Sequence, residues 1–397
     1  MFYESDNGVI IHSDNLVAMK QLTDNSIDSC ISDFPYAIEF MGKNWDGFKS
    51  FYDWCKLRSD DLIRVMKPGS YVAIFGSAKT NHRMKCAFED SGFRIVEEID
   101  WIYCSGMAHN QDIGKMFERS GYKQSSEMWS DWKTAGLKPA HENITIFQKQ
   151  LENGYLETIN KYETGAMNIG ACRVPISKED IDMLNAKASK NPTTNYSDRD
   201  DKIYGSYASD MAVPANPDGR FPPNIIFDEN AAKEMDAQTG VTKSTGVSGI
   251  ASTINRARSI YGTYNQETNE NYTNDSLGGY GDEGGGSRLF PIFKYCPKVS
   301  PSERRMSNGE RNPHVTLKPV ELIKWLIKLL TPKTGTTIDI TAGSCTHAVA
   351  VEQLNMNDGY NLRYIDVEIC NDDENPYCEV GKQRLESVLN EKENRLF

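Results

Sequence analysis

The stretch SDFPYAIEF, residues 32–40, places an acid and an aromatic ring directly after an apolar run. The preceding residues SIDSCI alternate and then turn apolar, which is typical of a buried strand. Asp33, Pro35 and Tyr36 would then lie at the open end of that strand, where ordering the side chains is costly unless something binds there. The stretch predicts a site at a strand end. The alternative is that Asp33 caps a turn and Tyr36 fills the core.

A second stretch, TTIDITAGSCTHAVAVEQL, has the pattern of a strand, a small-residue loop and a helix. The strand ends at Asp339, the loop contains Ala342, Gly343 and Ser344, and the helix begins near Thr346. The N–H groups at a helix N-terminus favour an anionic group such as a carboxylate or phosphate. Taken alone, the loop is equally compatible with a tight turn between strand and helix.

The next strand ends in RYIDVEI, which places Glu368 at its tip. In nucleotide-binding α/β folds, an acid at the end of the second strand receives the ribose hydroxyls. The loop and Glu368 together therefore predict a nucleotide-type cofactor site. A dinucleotide oxidoreductase would need a G-x-G-x-x-G turn, which TAGSCTH does not supply.

Strands alternate with helices near both ends of the chain. GVIIHSD, SIDSCISD and YVAIFG have strand patterns around the helix FYDWCKLRSDDLIRVM, and TTIDIT and YNLRYIDVEI flank the helix HAVAVEQLN. This alternation predicts a mostly parallel α/β sheet. Residues 151–290 lack sustained periodicity and include GTYNQETNENYTNDSLGGYGDEGGGS. We therefore predict two halves of one domain, 1–150 and 291–397, separated by an insertion of flexible polar loops that could read a partner.

The composition bounds the class of protein. The chain has 397 residues, 39% hydrophobic and 25% charged, which favours a globular protein of two domains or of one domain with an insertion. It has no apolar run of membrane-spanning length, and its N-terminus lacks the pattern of a secretion signal. Its nine cysteines include no C-x-x-C pair. We therefore expect reduced thiols, a cytoplasmic location and no metal site.

The net charge of -12 counts against a nucleic-acid partner, because phosphate binding needs concentrated positive charge. The charge is unevenly distributed, however, since the stretch 294–333 holds nine basic and three acidic residues. Arg304, Arg305 and Arg311 lie outside the amphipathic helix of that stretch and are the candidates for phosphate contacts. The charge pattern permits DNA or RNA without requiring either.

Taken together, these motifs resemble the amino-directed DNA methyltransferases, which use S-adenosylmethionine to modify adenine N6 or cytosine N4. DFPY stands where that family has D/N/S-P-P-Y/F/W, DITAGSCT where many members have D-P-F-x-G-S-G-T, and NPHVTLKPVELIKWLI resembles their H-P-T-x-K-P segment. The motif order matches the permuted β class. The resemblance covers both α/β blocks and is weakest from about 180 to 285. It implies a Rossmann-like S-adenosylmethionine-dependent methyltransferase fold, circularly permuted, with a seven-stranded-type sheet and an inserted target-recognition region.

The resemblance assigns the chemistry to the DFPY turn, into which the family flips its target base. Asp33 and the carbonyl of Phe34 would accept hydrogen bonds from the exocyclic amine, which directs the nitrogen lone pair towards the methyl group. Tyr36 would stack on the base, and Trp101 or Tyr103 would close its other side.

The same resemblance implies a cofactor site. Asp14 would face the cofactor adenine, Glu368 would bind the ribose, and Thr316 and Lys318 would close over the methionine end. The implied cofactor residues of the loop are Asp339, Thr341, Ala342, Gly343, Ser344, Cys345 and Thr346. For Asp14 the alternative is an N-cap of the following helix, and for Lys318 it is a solvated helix start.

Three residues depart from the family pattern. Phe34 replaces the first proline, Thr341 replaces a phenylalanine and Cys345 replaces the last loop glycine. The departures motivate an alternative in which the chain is a non-catalytic DNA-binding relative or uses an altered cofactor. A small-molecule or protein methyltransferase is a further alternative, against which the aromatic tetrapeptide and the polar insertion speak.

Asp33 at the first tetrapeptide position is more typical of the adenine-N6 enzymes of the family, whereas serine is more typical of cytosine-N4 enzymes. We therefore predict a site-specific adenine-N6 methyltransferase acting on double-stranded DNA, with cytosine-N4 methylation as the alternative. The sequence further suggests a phage or prophage origin in a bacterial host. Homodimers occur among relatives, but the sequence does not fix the oligomeric state.

Overall fold

The computed structural model describes residues 1–37, 50–182 except 105, 107 and 109, residue 185, 216–243, 283–293, 312, 314, and 317–395 except 374. Its strands are β1 (Tyr3–Ser5), β2 (Gly8–His12), β3 (Ile27–Asp33), β4 (Met66–Gly76), β5 (Phe93–Ile102), β6 (His141–Lys149), β7 (Ile225–Asp228), β8 (Thr242–Lys243), β9 (Glu283–Gly284), β10 (Ile292–Phe293), β11 (Thr336–Asp339) and β12 (Arg363–Glu368).

The helices are likewise numbered along the described part of the chain. They are α1 (Asn15–Met19), α2 (Phe51–Val65), α3 (Asn81–Asp90), α4 (Ile113–Arg119), α5 (Lys123–Met128), α6 (Tyr155–Tyr162), α7 (Glu229–Thr239), α8 (Val320–Leu330), α9 (Thr346–Asn357) and α10 (Tyr377–Arg395). No helix in these described segments is long and apolar enough to cross a membrane.

The strands form one large sheet in the order β1-β2-β12-β11-β3-β4-β6-β5-β7-β10. Within it β1 and β6 run antiparallel to their neighbours, and the other pairs are parallel. The predicted mostly parallel α/β fold is confirmed. β3 and β11 come from opposite ends of the chain yet pair directly, so their carboxyl ends lie side by side at one edge of the sheet.

The central strand β4 shows why helices cover both faces of the sheet. Because side chains alternate along a strand, Tyr71, Ala73 and Phe75 face one hydrophobic cluster, while Val72 and Ile74 face another. The first cluster contains apolar residues of α8, α9 and α10, and the second contains those of α2 and α3. A strand buried on both faces reads as a continuous apolar run, as YVAIFG does.

The chain divides into two compact units. The first comprises Met1–Cys172, Pro222–Ala232 and Phe290–Phe397, and the second comprises Arg173–Phe221 and Lys233–Leu289. The sheet unit therefore continues past the predicted boundary at residue 150. It also includes β7, which lies within the predicted insertion 151–290. The segment after 150 stays with the sheet because it packs on β4, where the Tyr71 hydroxyl donates to the Gly165 carbonyl at 2.7 Å.

The second unit is described in part. Asp236 of α7 accepts hydrogen bonds from the Ser287 backbone N–H at 2.8 Å and from the Ser287 hydroxyl at 2.7 Å. β8 and β9 pair antiparallel; β8 follows α7 in the sequence, and β9 comes just before Ser287. About half of the predicted target-recognition region, including 186–215 and 244–282, lies outside the described residues.

Candidate active site

Four acids follow or end four adjacent parallel strands. Asp33 ends β3, Asp339 ends β11, Glu368 ends β12, and Asp14 lies two residues after β2. The carboxyl ends of parallel strands meet at one edge, where open α/β sheets bind their ligands. The structure thus brings the two sequence motifs together at one edge of the sheet.

The loop after β11 is shaped by a close backbone approach. Gly343 has φ +52°, in the left-handed region, and its N–H donates to Glu368 Oε2 at 2.7 Å. A Cβ at Gly343 would lie 2.5 Å from His314 Nε2, so a side chain would not fit without a shift. The other Glu368 oxygen, Oε1, accepts from the Cys370 N–H at 2.7 Å. The small residue is therefore required by both conformation and space.

The acids beside this loop ionise near neutrality. Burial raises the pKa of Glu368 to about 7, although the N–H groups of Cys370 and Gly343 favour its charged form. Burial, followed by the nearby Asp366 carboxylate, also raises the pKa of Asp339 to about 7. A hydroxyl group that donates to Glu368 would stabilise its ionised form, and this chemistry suits a ribose.

Arg384 of α10 holds the end of the loop. Its Nη1 donates to the Ser344 carbonyl at 2.6 Å, to the Ser344 hydroxyl at 3.2 Å and to Thr346 Oγ1 at 3.0 Å. Ser344 is 1% exposed, and its hydroxyl also accepts from Asn312 Nδ2 at 3.2 Å. The predicted ligand residues Ser344 and Thr346 thus maintain the shape of the loop. Sequence reasoning missed Arg384 because no motif includes it.

Cys345 is one of the departures from the family pattern, and its side chain is accommodated against α10. Its φ is +58°, a left-handed conformation that suits the glycine of relatives better than cysteine. The side chain is fully buried, and its Sγ lies 2.4 Å from where a Cβ on Gly381 would be. The thiol therefore packs against α10 at a position where that helix carries no side chain.

The segment after β2 supplies a polar pair beside the loop. Asp14 caps α1 by accepting from the Leu16 N–H at 2.9 Å, as the alternative interpretation predicted, and Arg58 Nη2 lies 3.4 Å from its other oxygen. Asn15 Nδ2 donates to the Ile340 carbonyl at 2.9 Å. Asn15 Oδ1 is buried and finds no hydrogen-bond partner among the described residues. Asn15 is a further candidate for a cofactor-binding residue, and motif matching did not find it.

Asp33 has one carboxylate oxygen with a hydrogen-bond partner and one buried oxygen without a partner among the described residues. Its Oδ2 accepts from Lys318 Nζ at 2.7 Å, and its backbone carbonyl accepts from the Thr341 hydroxyl at 3.0 Å. Its Oδ1 is buried with no hydrogen-bond partner in the described part of the chain. Thr341, which replaces a family phenylalanine, thus ties the cofactor loop to the catalytic strand.

Lys318 contacts the catalytic turn, and its implied contact with the methionine end of the cofactor stays a prediction. Its Nζ is 3.2 Å from the Tyr36 hydroxyl and 3.3 Å from Glu142 Oε2, in addition to its bond to Asp33. The Tyr36 hydroxyl donates to Glu142 Oε2 at 3.2 Å, and the Tyr36 carbonyl accepts from the Thr80 hydroxyl at 2.7 Å. The carboxylates of Asp33 and Glu142 attract the ammonium group to this position. Sequence reasoning missed Glu142.

Burial and charge act against each other in this cluster. Burial raises the pKa of Asp33, the Lys318 ammonium opposes the rise, and the Glu142 carboxylate adds to it. Burial lowers the pKa of Lys318, but Asp33 and Glu142 outweigh it and hold that pKa above its usual value. Burial, then Asp33 and Glu142, raises the pKa of Tyr36, so its phenol stays protonated.

The predicted aromatic residues differ in their surroundings. The Phe34 ring is buried against Trp54, with centroids 5.1 Å apart, so the residue replacing the family proline fills the core below the half-buried Pro35. Trp101 is 1% exposed inside the sheet core, where it offers no face to a base, and its prediction as a base contact is therefore corrected. Tyr103, just beyond the end of β5, is also buried, at 6% exposed, but does not belong to that core cluster, and its contact with the base stays a prediction.

Four predicted residues cannot be placed. They lie outside the described residues and are Thr316, Arg304, Arg305 and Arg311. In the part of the chain that is described, no group of three or more His, Cys, Asp or Glu side chains could hold a metal ion.

Comparison with known families decides what this arrangement belongs to. The family model described as DNA methylase, which covers N6 and N4 methyltransferases, matches residues 27–383, nearly the whole chain. The chain belongs to the DNA methylase family. The suspected family and its fold are thereby confirmed, and S-adenosylmethionine is the cofactor of this DNA methylase. The two-sided Glu368 carboxylate and the unpartnered Asn15 oxygen fit such a group.

Individual relatives are more distant. The chain is 29% identical over 198 residues to the type II methyltransferase M.HindIII of Haemophilus influenzae, covering 40% of this chain and 64% of that protein. It is 26% identical over 147 residues to M.HpaI of Haemophilus parainfluenzae, covering 35% and 38%. The solved PvuII cytosine-N4 methyltransferase shares 13% identity, with a TM-score of 0.46 over 98% of this chain and 93% of that one. The chain thus spans less than two thirds of these two curated relatives.

Proposed function

We propose that this chain of the DNA methylase family is a site-specific DNA methyltransferase that uses S-adenosylmethionine to methylate the exocyclic N6 amine of a flipped adenine. The observation that carries the proposal is Asp33. One of its oxygens is held by Lys318, while the other is buried and has no partner among the described residues. A buried acceptor without a donor is costly, and an exocyclic amine is a donor of the right kind.

The residues at the carboxyl ends of the strands have separate proposed roles in binding the cofactor and in binding the target base. S-adenosylmethionine supplies an electrophilic methyl group when bound. Glu368 would accept hydrogen bonds from its ribose hydroxyls, and Gly343 and Asn15 would line the site just after β11 and β2. Asp33 Oδ1 would accept a hydrogen bond from the target amine, orient its lone pair and stabilise the positive charge that develops on nitrogen. Tyr36 would stack on the base.

The choice of base rests on Asp33, since an aspartate at this position is more typical of the adenine-N6 enzymes that the sequence resembles. Cytosine-N4 methylation uses the same geometry and is the alternative. The relatives M.HindIII and M.HpaI are type II methyltransferases of bacteria. They support a bacterial, cytoplasmic role in restriction–modification with double-stranded DNA as the partner. A phage origin and a homodimer stay predictions.

The test is methyl transfer to unmethylated genomic DNA from tritiated S-adenosylmethionine, followed by digestion and separation of the nucleosides. We expect label in N6-methyladenosine from the wild type and none from Asp33→Ala. Label in N4-methylcytosine would retain the mechanism and replace the base. If no DNA is labelled while calorimetry still shows cofactor binding, the proposed activity is wrong.

A further inference from the structure

We infer that Lys318 and Glu142 are positioning residues that set the orientation and the charge of Asp33, acting as one cluster with Tyr36. The inference rests on the proposed methyltransferase function and adds residues to it. It is carried by a set of contacts at the catalytic turn that the DFPY motif itself does not contain.

The geometry of the ammonium group is the first step. Lys318 Nζ lies 2.7 Å from Asp33 Oδ2, 3.3 Å from Glu142 Oε2 and 3.2 Å from the Tyr36 hydroxyl. The Lys318 side chain is 8% exposed, and a buried ammonium is retained only where it is paired. By binding Oδ2, Lys318 fixes the rotation of the Asp33 carboxylate, so Oδ1 is left as the acceptor.

The second step is the origin of the three charged groups. Asp33 ends β3, Lys318 comes just before α8, and Glu142 is the second residue of β6. Because β6 runs antiparallel to β4, its beginning lies at the edge where β4 ends, and Asn143 pairs with Gly76 there. The reversed strand therefore delivers a carboxylate to the catalytic edge, which a parallel strand would reach only with its last residues.

The third step is electrostatic. Lys318 and Glu142 act on Asp33 in opposite directions, because an ammonium favours the ionised carboxylate and a second carboxylate disfavours it. The Tyr36 hydroxyl donates to Glu142 Oε2 at 3.2 Å, and Tyr103 also acts electrostatically on Tyr36. Within the described residues these are the titratable groups that face Asp33 or its partners. The ionised form of Asp33 is the one that stabilises positive charge on the target nitrogen.

Two nearly isosteric variants separate this arrangement from a merely structural one. Lys318→Met removes the positive charge, and Glu142→Gln removes the negative charge while keeping the shape. Carbon-13 NMR of aspartate carboxyls in the cofactor-free protein follows Asp33, whose signal is identified by its loss in Asp33→Asn. We expect the Asp33 titration to move to higher pH in Lys318→Met and to lower pH in Glu142→Gln. The control is Lys328→Met, which removes a lysine of α8 paired with Asp358 at 2.8 Å. It should leave the Asp33 titration at its wild-type pH.

Activity provides the second readout. In Lys318→Met the acid limb of kcat/KM should move to higher pH, with a loss of about tenfold or more at pH 7 that is partly recovered at higher pH. In Glu142→Gln the acid limb of kcat/KM should move to lower pH. Shifts in the same direction, or an Asp33 titration that neither variant moves, would overturn the inference. If Lys318→Met does not fold, Glu142→Gln alone decides by the direction of its shift. If the wild type methylates no DNA, the proposed function fails, but the NMR titration still tests the cluster.

Discussion

The turn after β3 and the loop after β11 lie beside each other, but they are held in different ways. Asp33 is held by an ion pair to Lys318 and keeps one buried oxygen unpartnered within the described structure. Gly343 is held by the hydrogen bond that its N–H donates to Glu368, and its left-handed conformation beside His314 leaves no room for a side chain. The first arrangement leaves an acceptor for chemistry, whereas the second fixes the backbone of the loop against His314 and Glu368. We therefore expect changes in the turn to alter the rate and changes in the loop to alter cofactor affinity.

The largest expected effect comes from the turn. Asp33→Ala removes the acceptor for the target amine, and we expect the methyl-transfer rate to fall by at least about 100-fold, as on removal of a preorganised group that stabilises transition-state charge. Cofactor affinity, measured by calorimetry, should stay within about twofold, since the loop contacts do not involve this side chain. Asp33→Asn keeps an acceptor without its charge and should fall between the wild type and Asp33→Ala. A large loss of cofactor affinity in Asp33→Ala would dissolve the distinction between turn and loop.

The next effect comes from the loop. Gly343→Ala places a Cβ 2.5 Å from His314 Nε2 at a φ of +52°, and we expect cofactor affinity to weaken about tenfold or more. Gly359→Ala is the matched control, because its φ is +69° but no described heavy atom lies within 4 Å of the added Cβ. That control carries the backbone strain without the overlap. Equal losses of affinity in both variants would mean that strain alone matters.

A smaller effect tests how the loop is supported from α10. Gly381→Ala brings a Cβ to 2.4 Å from Cys345 Sγ, and overpacking of this kind costs about 1–3 kcal/mol of unfolding free energy. Cys345→Gly removes the overlapping sulfur and relieves a left-handed conformation at φ +58°. The double variant should therefore recover stability relative to Gly381→Ala in denaturant unfolding. Simple additivity of the two changes would show that the thiol does not touch α10 as described.

The smallest effect is a pH dependence of cofactor binding. The pKa of Glu368 is raised by burial to about 7, so hydroxyl donors should bind more tightly as the pH rises through that value. The affinity should change a few-fold between about pH 6 and pH 8. Without cofactor the sign is opposite for stability, because a raised acid pKa means that the folded state holds the proton more tightly. Unfolding free energy from this group should therefore fall as the pH rises from the usual pKa towards about 7.

Glu368→Gln is the control for that dependence and should flatten it. Asp339 also has a pKa raised to about 7, by burial and by Asp366, and it lies at the same edge. Calorimetry over the same pH range in both proteins assigns the dependence. A dependence that persists unchanged in Glu368→Gln belongs to Asp339 or to another group.

The sequence predicted the sheet and its edge because these depend on short-range patterns. Short strand patterns in SIDSCISD and TTIDIT identified β3 and β11, and their pairing follows from parallel strands that end at a common edge. The roles of Asp14 as a helix cap and of Gly343 as a turn residue were also accessible from local spacing.

The partners of those residues could not be predicted in the same way. The ion pairs of Lys318 with Asp33 and Glu142 were not predicted, because the resemblance of its segment implied only a place near the methionine end of the cofactor. Arg384 lies on the last helix with no motif around it, yet it holds Ser344. Such contacts depend on three-dimensional neighbours far apart in the chain. The same holds for Trp101, whose aromatic type suggested base stacking although its strand position buries it.

The distinction between turn and loop is tested most directly by the methyl-transfer rate as a function of S-adenosylmethionine concentration, measured side by side for Asp33→Ala and Gly343→Ala. We expect Gly343→Ala to approach the wild-type rate at saturating cofactor, while Asp33→Ala stays slow at every concentration. Recovery of Asp33→Ala by added cofactor, or a Gly343→Ala rate that no concentration restores, would contradict the account.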